Sequence, residues 1–279
     1  MRRYAVIGST GFLGQTFFRR DWPGVDLVPI DRQLADLTKP FEKHLGDVLK
    51  RHQVEAAIVC AAMSSPDDCK RDPDLSHKVN VSGMIRLFDL LKKLKIKPVF
   101  FSTDHVFDGQ KGNYSEEDAY NPITLYGRQK VEAESYLRQN FTDYLILRTS
   151  KQVAMRKDKK NILSQMTEKL RSGQPIRCAT DHSIAPAFVE DIASVTLSAL
   201  KAGLSGIYHI TPGQTFTRFE LGQALAEILQ APATLVEPCS IQDFQFLEVR
   251  PPVCTLNNQK LVASLSPRFT DLASGVRRL

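Results

Sequence analysis

No stretch of this chain is apolar for the ~20 residues that a membrane-spanning helix needs, so no membrane partner is expected. Cysteine is sparse and without pattern. Cys60, Cys69, Cys178, Cys239 and Cys254 are scattered and odd in number, with no CxxC and no histidine pair at ligand spacing. That excludes a recognisable disulfide framework or zinc motif, and reduced thiols without metal are expected. No internal repeat and no low-complexity linker interrupts the chain, which argues against a solenoid or a string of modules. The opening residues, MRRYAVIGSTG, hold too short an apolar core for a signal peptide, so a cytoplasmic location is expected. Acidic residues are outnumbered by basic ones, 31 to 37, for a formal charge of +6. The densest clusters, Lys92-Lys93-x-Lys95-x-Lys97 and Arg156-Lys157-x-Lys159-Lys160, are short and lack interleaved aromatics. Solvated faces account for both, and nucleic acid is not expected as a partner.

What is present is ordinary in bulk and specific in detail. With 279 residues, 42% of them apolar and 24% charged, the chain can bury a large core as one domain or one and a half. Tyr4 to Ile7 reads as a buried strand that runs into Gly8-Ser-Thr-Gly11-Phe-Leu-Gly14 and then a helix ending near Arg19-Arg20. A strand, a glycine turn and a helix N-terminus hold a dinucleotide pyrophosphate on backbone N–H groups and the helix dipole. Gly8 permits the tight turn, Gly11 lets phosphate approach, and Gly14 lets helix and sheet pack closely. Thr10, Phe12 and Leu13 complete the turn as cofactor-binding candidates.

The second strand, Leu27 to Ile30, ends at Asp31-Arg32. An acidic residue here takes the adenosine ribose hydroxyls and favours NAD(H); an adjacent arginine pairs a 2′-phosphate and favours NADP(H). Both are present, so the preference stays open. Asp36-Leu37 follows, either lining the adenine pocket or forming a solvent-facing turn. Phe41 to His52 has helical spacing, Ala56 to Cys60 reads as a parallel strand, and Ala61-Ala62 are small enough for close cofactor approach. A long helical pattern runs from about Asp72 to Leu94, and strands follow at Val99–Phe101 and Tyr144–Arg148.

Strands alternating with helices imply βαβ units, a parallel sheet and ligands at the strands' carboxyl ends. The expected fold class is therefore α/β: a Rossmann-type doubly wound parallel sheet with a smaller C-terminal substrate-binding lobe. Residues 1–150 form the nucleotide-binding domain, with parts of the later chain returning to it, and 151–279 form the lobe. In the lobe the pattern gives a basic loop over 155–161, helices over 162–170 and 188–200, and strands over 175–178 and 207–210. Thr217-Arg-Phe-Glu220 is a capping box opening a helix to Leu229. The tail from Pro232 reads as irregular, ending in a short helix near Leu272.

The chain's most informative stretch runs from Phe100 to Lys130. Its strand breaks into Ser102-Thr103-Asp104, and after a loop rich in Asp, Gly, Asn and Pro it enters a helix carrying Tyr126 and Lys130. Four residues apart, those two share a helix face. A nearby ammonium stabilises a phenolate and eases proton donation to a carbonyl oxygen. Thr103 is placed to donate a second hydrogen bond to that oxygen. By itself a Tyr-x-x-x-Lys pair is a weak signal; its place after this strand end, in a chain with the glycine turn, gives it weight.

In these segments the chain resembles the dTDP-4-dehydrorhamnose reductase family of the extended short-chain dehydrogenase/reductase superfamily. The resemblance is carried in order by Gly8-x-x-Gly11-x-x-Gly14, Asp31 to Thr38, Ser102-Thr-Asp-His-Val-Phe-Asp-Gly109, and Tyr114-x-Glu116. It continues through Pro122-x-x-x-Tyr126-Gly-x-x-Lys130, Leu147-Arg-Thr-Ser150, Asp181-x-x-x-x-Pro186 and Arg250-Pro-x-x-x-x-Leu256. It implies that Tyr126 protonates a sugar C4 carbonyl as hydride arrives from NAD(P)H. Lys130 also holds the nicotinamide ribose, Ser102 lies at the cofactor, and Thr103 polarises the carbonyl. Asp104, His105 and Arg250 would contact a nucleotide-sugar substrate, and a homodimer is a possible assembly.

Three departures fall on the substrate side: His105 where the family has Tyr, Lys151-Gln-Val-Ala154 where it has Trp then Tyr-Gly, and Pro186-Ala187 where it has Pro-Thr. Two other readings share the resemblance. One is a non-catalytic NAD(P)-binding regulatory subunit like that of methionine adenosyltransferase; the other is a nucleotide-sugar epimerase or dehydratase.

Overall fold

The computed structural model describes residues 1–158 and 161–279; Lys159 and Lys160 of the expected basic loop lie outside the described residues. Six parallel strands form the central sheet: β1 (Arg2–Ile7), β2 (Val25–Ile30), β3 (Ala56–Val59), β4 (Lys97–Thr103), β5 (Leu145–Thr149) and β6 (Gly206–Ile210). Their spatial order is β6-β5-β4-β3-β1-β2. The chain steps from β1 to β2 on one side and returns to β3 on the other, so β1 and β3 flank the topological switch point. That is where open parallel sheets bind ligands.

Alternation along the strands explains the layers. Tyr4 and Val6 point to one face with Ile58, Val99, Phe101 and Leu147; Ala5 and Ile7 point to the other with Val59, Phe100 and Ile146. The second face is covered by α1 (Glu42–Arg51), α2 (Gly83–Leu94) and α3 (Leu125–Asn140). A later crossover covers the first face. The helices α4 (Ile162–Arg171), α5 (Val189–Lys201) and α6 (Arg218–Leu229) follow β5, and α5 packs Val189, Ile192 and Val195 onto that face.

A separate apolar core gathers Leu163, Met166, Leu170, Ile176, Leu221, Leu225 and Val236 in the lobe. There Ile176–Ala179 pairs with Val236–Cys239, and Val253–Cys254 pairs with Ser183–Ile184. The tail is thus ordered where an irregular run was expected. Its later part crosses back to the sheet domain, where Tyr114 N–H donates to Thr255 O at 3.1 Å and Asn257 N–H to Tyr114 O at 2.7 Å.

Two expected helices come out differently. The glycine turn leads only into a short 3-10 helix, Gly14–Phe18. Pro23 disfavours helical geometry at Trp22, and the chain must re-enter the sheet at Val25. The run expected as one helix from Asp72 divides into Pro73–His77, a π-helical turn Lys78–Ser82, and α2. A π turn is one extra residue inserted into helical pitch, invisible in a 3.6-residue pattern.

Candidate active site

The crevice begins where β1 ends. Gly8 has φ +84°, and a Cβ there would fall 2.8 Å from Ala61 N at the end of β3. A Cβ on Gly14 would come within 2.1 Å of Gly8 O. The turn and the first helical residue are therefore in backbone contact that no larger residue permits. Thr10 and Gly11 are exposed at the tip, with Phe12 half-buried behind them. Among the described residues, the N–H groups of Phe12 and Leu13 donate to no protein acceptor, an arrangement that suits an anionic diphosphate. Leu13 buries its side chain in the core beside Phe17, leaving only its backbone for a ligand.

Beyond β2, Asp31 Oδ1 accepts from the N–H groups of Gln33 (3.0 Å) and Leu34 (3.1 Å), which fixes the carboxylate at the strand end. Arg32 extends into solvent with 77% of its side chain exposed and pairs with Asp36 at 3.3 Å. Asp36 also accepts from Thr38, and those hydrogen bonds hold its carboxyl below the ordinary range. Leu37 faces the core rather than an adenine pocket. Ala61 packs on Gly8, Ala62 is exposed, and the next residue is clamped: Met63 N–H donates to Asn80 Oδ1 and Asn80 Nδ2 to Met63 O, both at 2.9 Å. Asn80, placed by the π turn, also donates to Gln129 Oε1 at 2.8 Å. It ties the β3 loop to α3, a role that sequence spacing did not reveal.

At the end of β4, Ser102 keeps a buried hydroxyl with no partner among the described residues. Thr103 Oγ1 donates to Asp104 Oδ1 at 2.9 Å. The helix α3 opens with Thr124 accepting from Gly127 N–H at 2.9 Å. Gly127 is needed, since a Cβ there would meet His105 O at 2.1 Å. This close docking brings Tyr126, on the first turn of α3, to Thr103 and Asp104. The His105 and Tyr126 rings lie edge to face with centroids 5.9 Å apart.

Tyr126 and Lys130 do share a buried face, but not as an ammonium–phenolate pair. Lys130 Nζ donates to Phe101 O at 2.8 Å and lies 5.9 Å from the centre of the Tyr126 ring. Burial pushes the Tyr126 phenol up, with the Asp104 charge adding to it and the Thr103 hydroxyl opposing. Burial brings Lys130 down to about 8. The phenol is thus held firmly protonated, the state a proton donor requires. Asp104 is likewise raised by burial.

On the lobe side the parallel register sets Thr149 level with Thr103, so the residues after β5 stand beside those after β4. Lys151 acts on Asp104 and His105, and burial brings it down to about 8. Arg250 pairs with Asp67 at 2.9 Å. Two further basic groups, His182 and Arg218, were not singled out from the sequence. They lie in a loop and at the first residue of a capped helix, where no motif marks them. The ligand atoms of Asp104, His105 and Cys254 lie within 4.8 Å of one another, the one such grouping among the described residues. Lys151 and Arg250 beside it put positive charge where a cation would have to bind.

Several signature residues turn out to be scaffolding. Arg148 and Glu134 form a buried ion pair at 2.8 Å joining β5 to α3, Glu116 accepts from His209 N–H at 3.0 Å, and Asp181 caps Ile241 N–H at 2.7 Å.

A family model described as the RmlD substrate binding domain matches residues 2–279. The chain is 31% identical over 252 residues (89% of this chain, 80% of the relative) to the probable low-salt glycan biosynthesis reductase Agl14 of Haloferax volcanii. It is 25% identical over 297 residues to methionine adenosyltransferase 2 subunit beta of Danio rerio, covering 99% of this chain and 89% of that one. Its fold matches the crystal structure of dTDP-4-dehydrorhamnose reductase from Bacillus anthracis in complex with NADP. The TM-score is 0.90 at 24% identity, over 100% of this chain and 98% of that one. The chain therefore belongs to the RmlD substrate binding domain family, a relative of the extended short-chain dehydrogenases/reductases.

Proposed function

We propose that this protein is an NAD(P)H-dependent reductase of a 4-keto nucleotide sugar. The observation that carries the reading is the placement of a buried, protonated Tyr126 beside Thr103 at the end of β4, next to the Gly8–Ala61 crevice. The residues fit the coenzyme: a glycine turn that a Cβ would fill, free N–H groups at Phe12 and Leu13, and an orphaned Ser102 hydroxyl. The exposed Arg32 suits a 2′-phosphate and the fixed Asp31 a ribose hydroxyl, so both coenzymes remain admissible. Bound there, the reduced nicotinamide supplies the hydride.

The chain's own residues do the rest. Tyr126 delivers its phenolic proton to the carbonyl oxygen as negative charge develops there. Lys130, a cation held on Phe101 O beneath the Tyr126 ring, stabilises the phenolate left behind and is in reach of a ribose hydroxyl. Thr103 orients the carbonyl, and Asp104 orients Thr103. Within this reading residues 1–150 bind coenzyme, with α5 and β6 returning to them, and the smaller lobe binds the sugar.

The test is coenzyme oxidation by the purified protein with a dTDP-linked 4-keto sugar and NADPH or NADH. Oxidation dependent on the sugar is expected. No oxidation with any 4-keto nucleotide sugar, together with a co-purifying partner enzyme, would instead support the regulatory-subunit reading that the Danio rerio relative suggests.

A further inference from the structure

The basic loop after β5, expected as a solvated face, is solvated only in part. Lys157 is exposed, but Arg156 turns back onto the glycine turn with only 13% of its side chain open. Its Nη2 donates to Phe12 O at 2.7 Å and its Nη1 to Thr16 Oγ1 at 3.3 Å. The guanidinium carbon stands 5.0 Å from the centre of the Phe12 ring. Arg156 is itself held in place. Asn161 Nδ2 and Ser164 Oγ donate to its carbonyl at 3.1 and 3.2 Å, which fixes where the side chain starts. Glu190 on α5 pairs with Nη1 at 3.5 Å and accepts from Met155 N–H at 3.3 Å.

The turn has a carbonyl that needs this donor. In an α-helix Phe12 O would accept from Thr16 N–H. The 3-10 turn instead sends Thr16 N–H to Leu13 O at 3.0 Å, while Gln15 N–H goes to Gly11 O at 3.1 Å. No backbone N–H among the described residues reaches Phe12 O, and the Thr16 hydroxyl is marginal at 3.5 Å. The peptide joining Phe12 to Leu13 is trans, so its N–H points opposite to its C=O. Fixing Phe12 O on Arg156 therefore aims Leu13 N–H the other way, where it meets no protein acceptor among the described residues. We propose that Arg156 is a positioning residue for the coenzyme: by holding the Phe12 carbonyl it presents Leu13 N–H to the diphosphate. The inference rests on the coenzyme site described above and adds that a loop beyond residue 150 completes it. Without Arg156 the peptide is free to turn, and the cost of ordering it falls on binding.

The test is calorimetric titration of the wild type, Arg156→Met, Arg156→Gln and Arg156→Lys with NADPH and with NADH. Urea denaturation of each coenzyme-free protein runs beside it. Asn161 and Ser164 hold the loop backbone without the guanidinium, so the variants should fold. Both neutral variants should weaken the better-bound coenzyme by about tenfold, the lower end of what one charge-assisted hydrogen bond is worth. Arg156→Lys, which can still donate to Phe12 O, should stay within about threefold of the wild type. Neutral variants that bind coenzyme as tightly as the wild type would overturn the proposal, even with urea stability lowered, since Arg156 would then only tie the loop to the turn. A lysine variant as weak as the neutral ones would overturn it too. So would a loss confined to NADPH, because the diphosphate is common to both coenzymes and the 2′-phosphate is not. A wild type that binds neither coenzyme would sink the reductase reading and this inference together, whereas tight binding by the neutral variants sinks this inference alone.

Discussion

The two halves of the crevice are built from different materials. On the coenzyme side, contact is made by backbone and small residues: Gly8 against Ala61, Gly14 against the Gly8 carbonyl, and Lys130 fixed to a main-chain oxygen. On the lobe side, basic and imidazole side chains arrive from separated segments: His105, Lys151, His182, Arg218 and Arg250. The first half is defined within a few residues of sequence, because close backbone approach leaves glycine almost no substitute. The second depends on strand register and on how the lobe docks, so its residues can be exchanged without disturbing the sheet.

That contrast can be broken most forcefully at the seam the halves share. Glu134 on α3 and Arg148 on β5 are both almost fully buried, and Tyr120 also donates to Glu134. Glu134→Ala strands a guanidinium in the core and should cost about 3–5 kcal/mol of stability by chemical denaturation. A loss under ~1 kcal/mol would show that the pair is solvated.

Gly14→Ala should act on the coenzyme half alone. Its Cβ would sit 2.1 Å from Gly8 O, so the turn must shift. About 1–3 kcal/mol of stability should go, with coenzyme affinity falling alongside it and UDP affinity kept. Equal loss of both affinities would mean that the halves are not independent.

The buried lysine gives a pH signature. Lys130 titrates near 8 in the coenzyme-free protein against its ordinary 10.5. Between those values the unfolded chain holds more protons, so the penalty of burying the cation is full below about 8 and relieved as pH rises toward 10.5. Lys130→Met should therefore gain stability over the wild type near neutral pH, and the gain should shrink as pH rises. A gain constant with pH would mean that burial leaves the titration of Lys130 where it is in the unfolded chain.

The smallest effect belongs to the rim. Arg32→Ser should weaken NADPH by less than about tenfold, as expected for an exposed charge, and leave NADH unchanged. A matching change for NADH would show that Arg32 does not read a 2′-phosphate.

The same contrast decides what could be read before the structure. The strands, the glycine turn and the Tyr126–Lys130 face were legible because alternation, glycine spacing and helical pitch are local, but the strand at 207–210 was expected in the lobe and instead joins the central sheet beside β5. The helix expected after Gly14 was cut short by Trp22-Pro23, where re-entry at Val25 overrides helical propensity. The π turn at Lys78–Ser82 hid inside an unbroken apolar pattern, and with it the reach of Asn80 to Met63 and Gln129. His182 and Arg218 left no trace, since a basic residue in a loop or after an N-cap reads as solvent-facing until the lobe is docked. Lys151 was visible only as a departure from a pattern. The expected pairing of Lys130 with a Tyr126 phenolate also failed to appear, because burial and the Asp104 charge raise the phenol while the Lys130 ammonium is turned to Phe101 O.

The central claim is that Tyr126 gives the proton, and single-turnover reduction of a 4-keto nucleotide sugar by protein preloaded with coenzyme tests it most directly. Tyr126→Phe should slow that step by ~10²–10⁴ with the coenzyme dissociation constant unchanged. A variant that reduces the sugar at the wild-type rate would contradict the account.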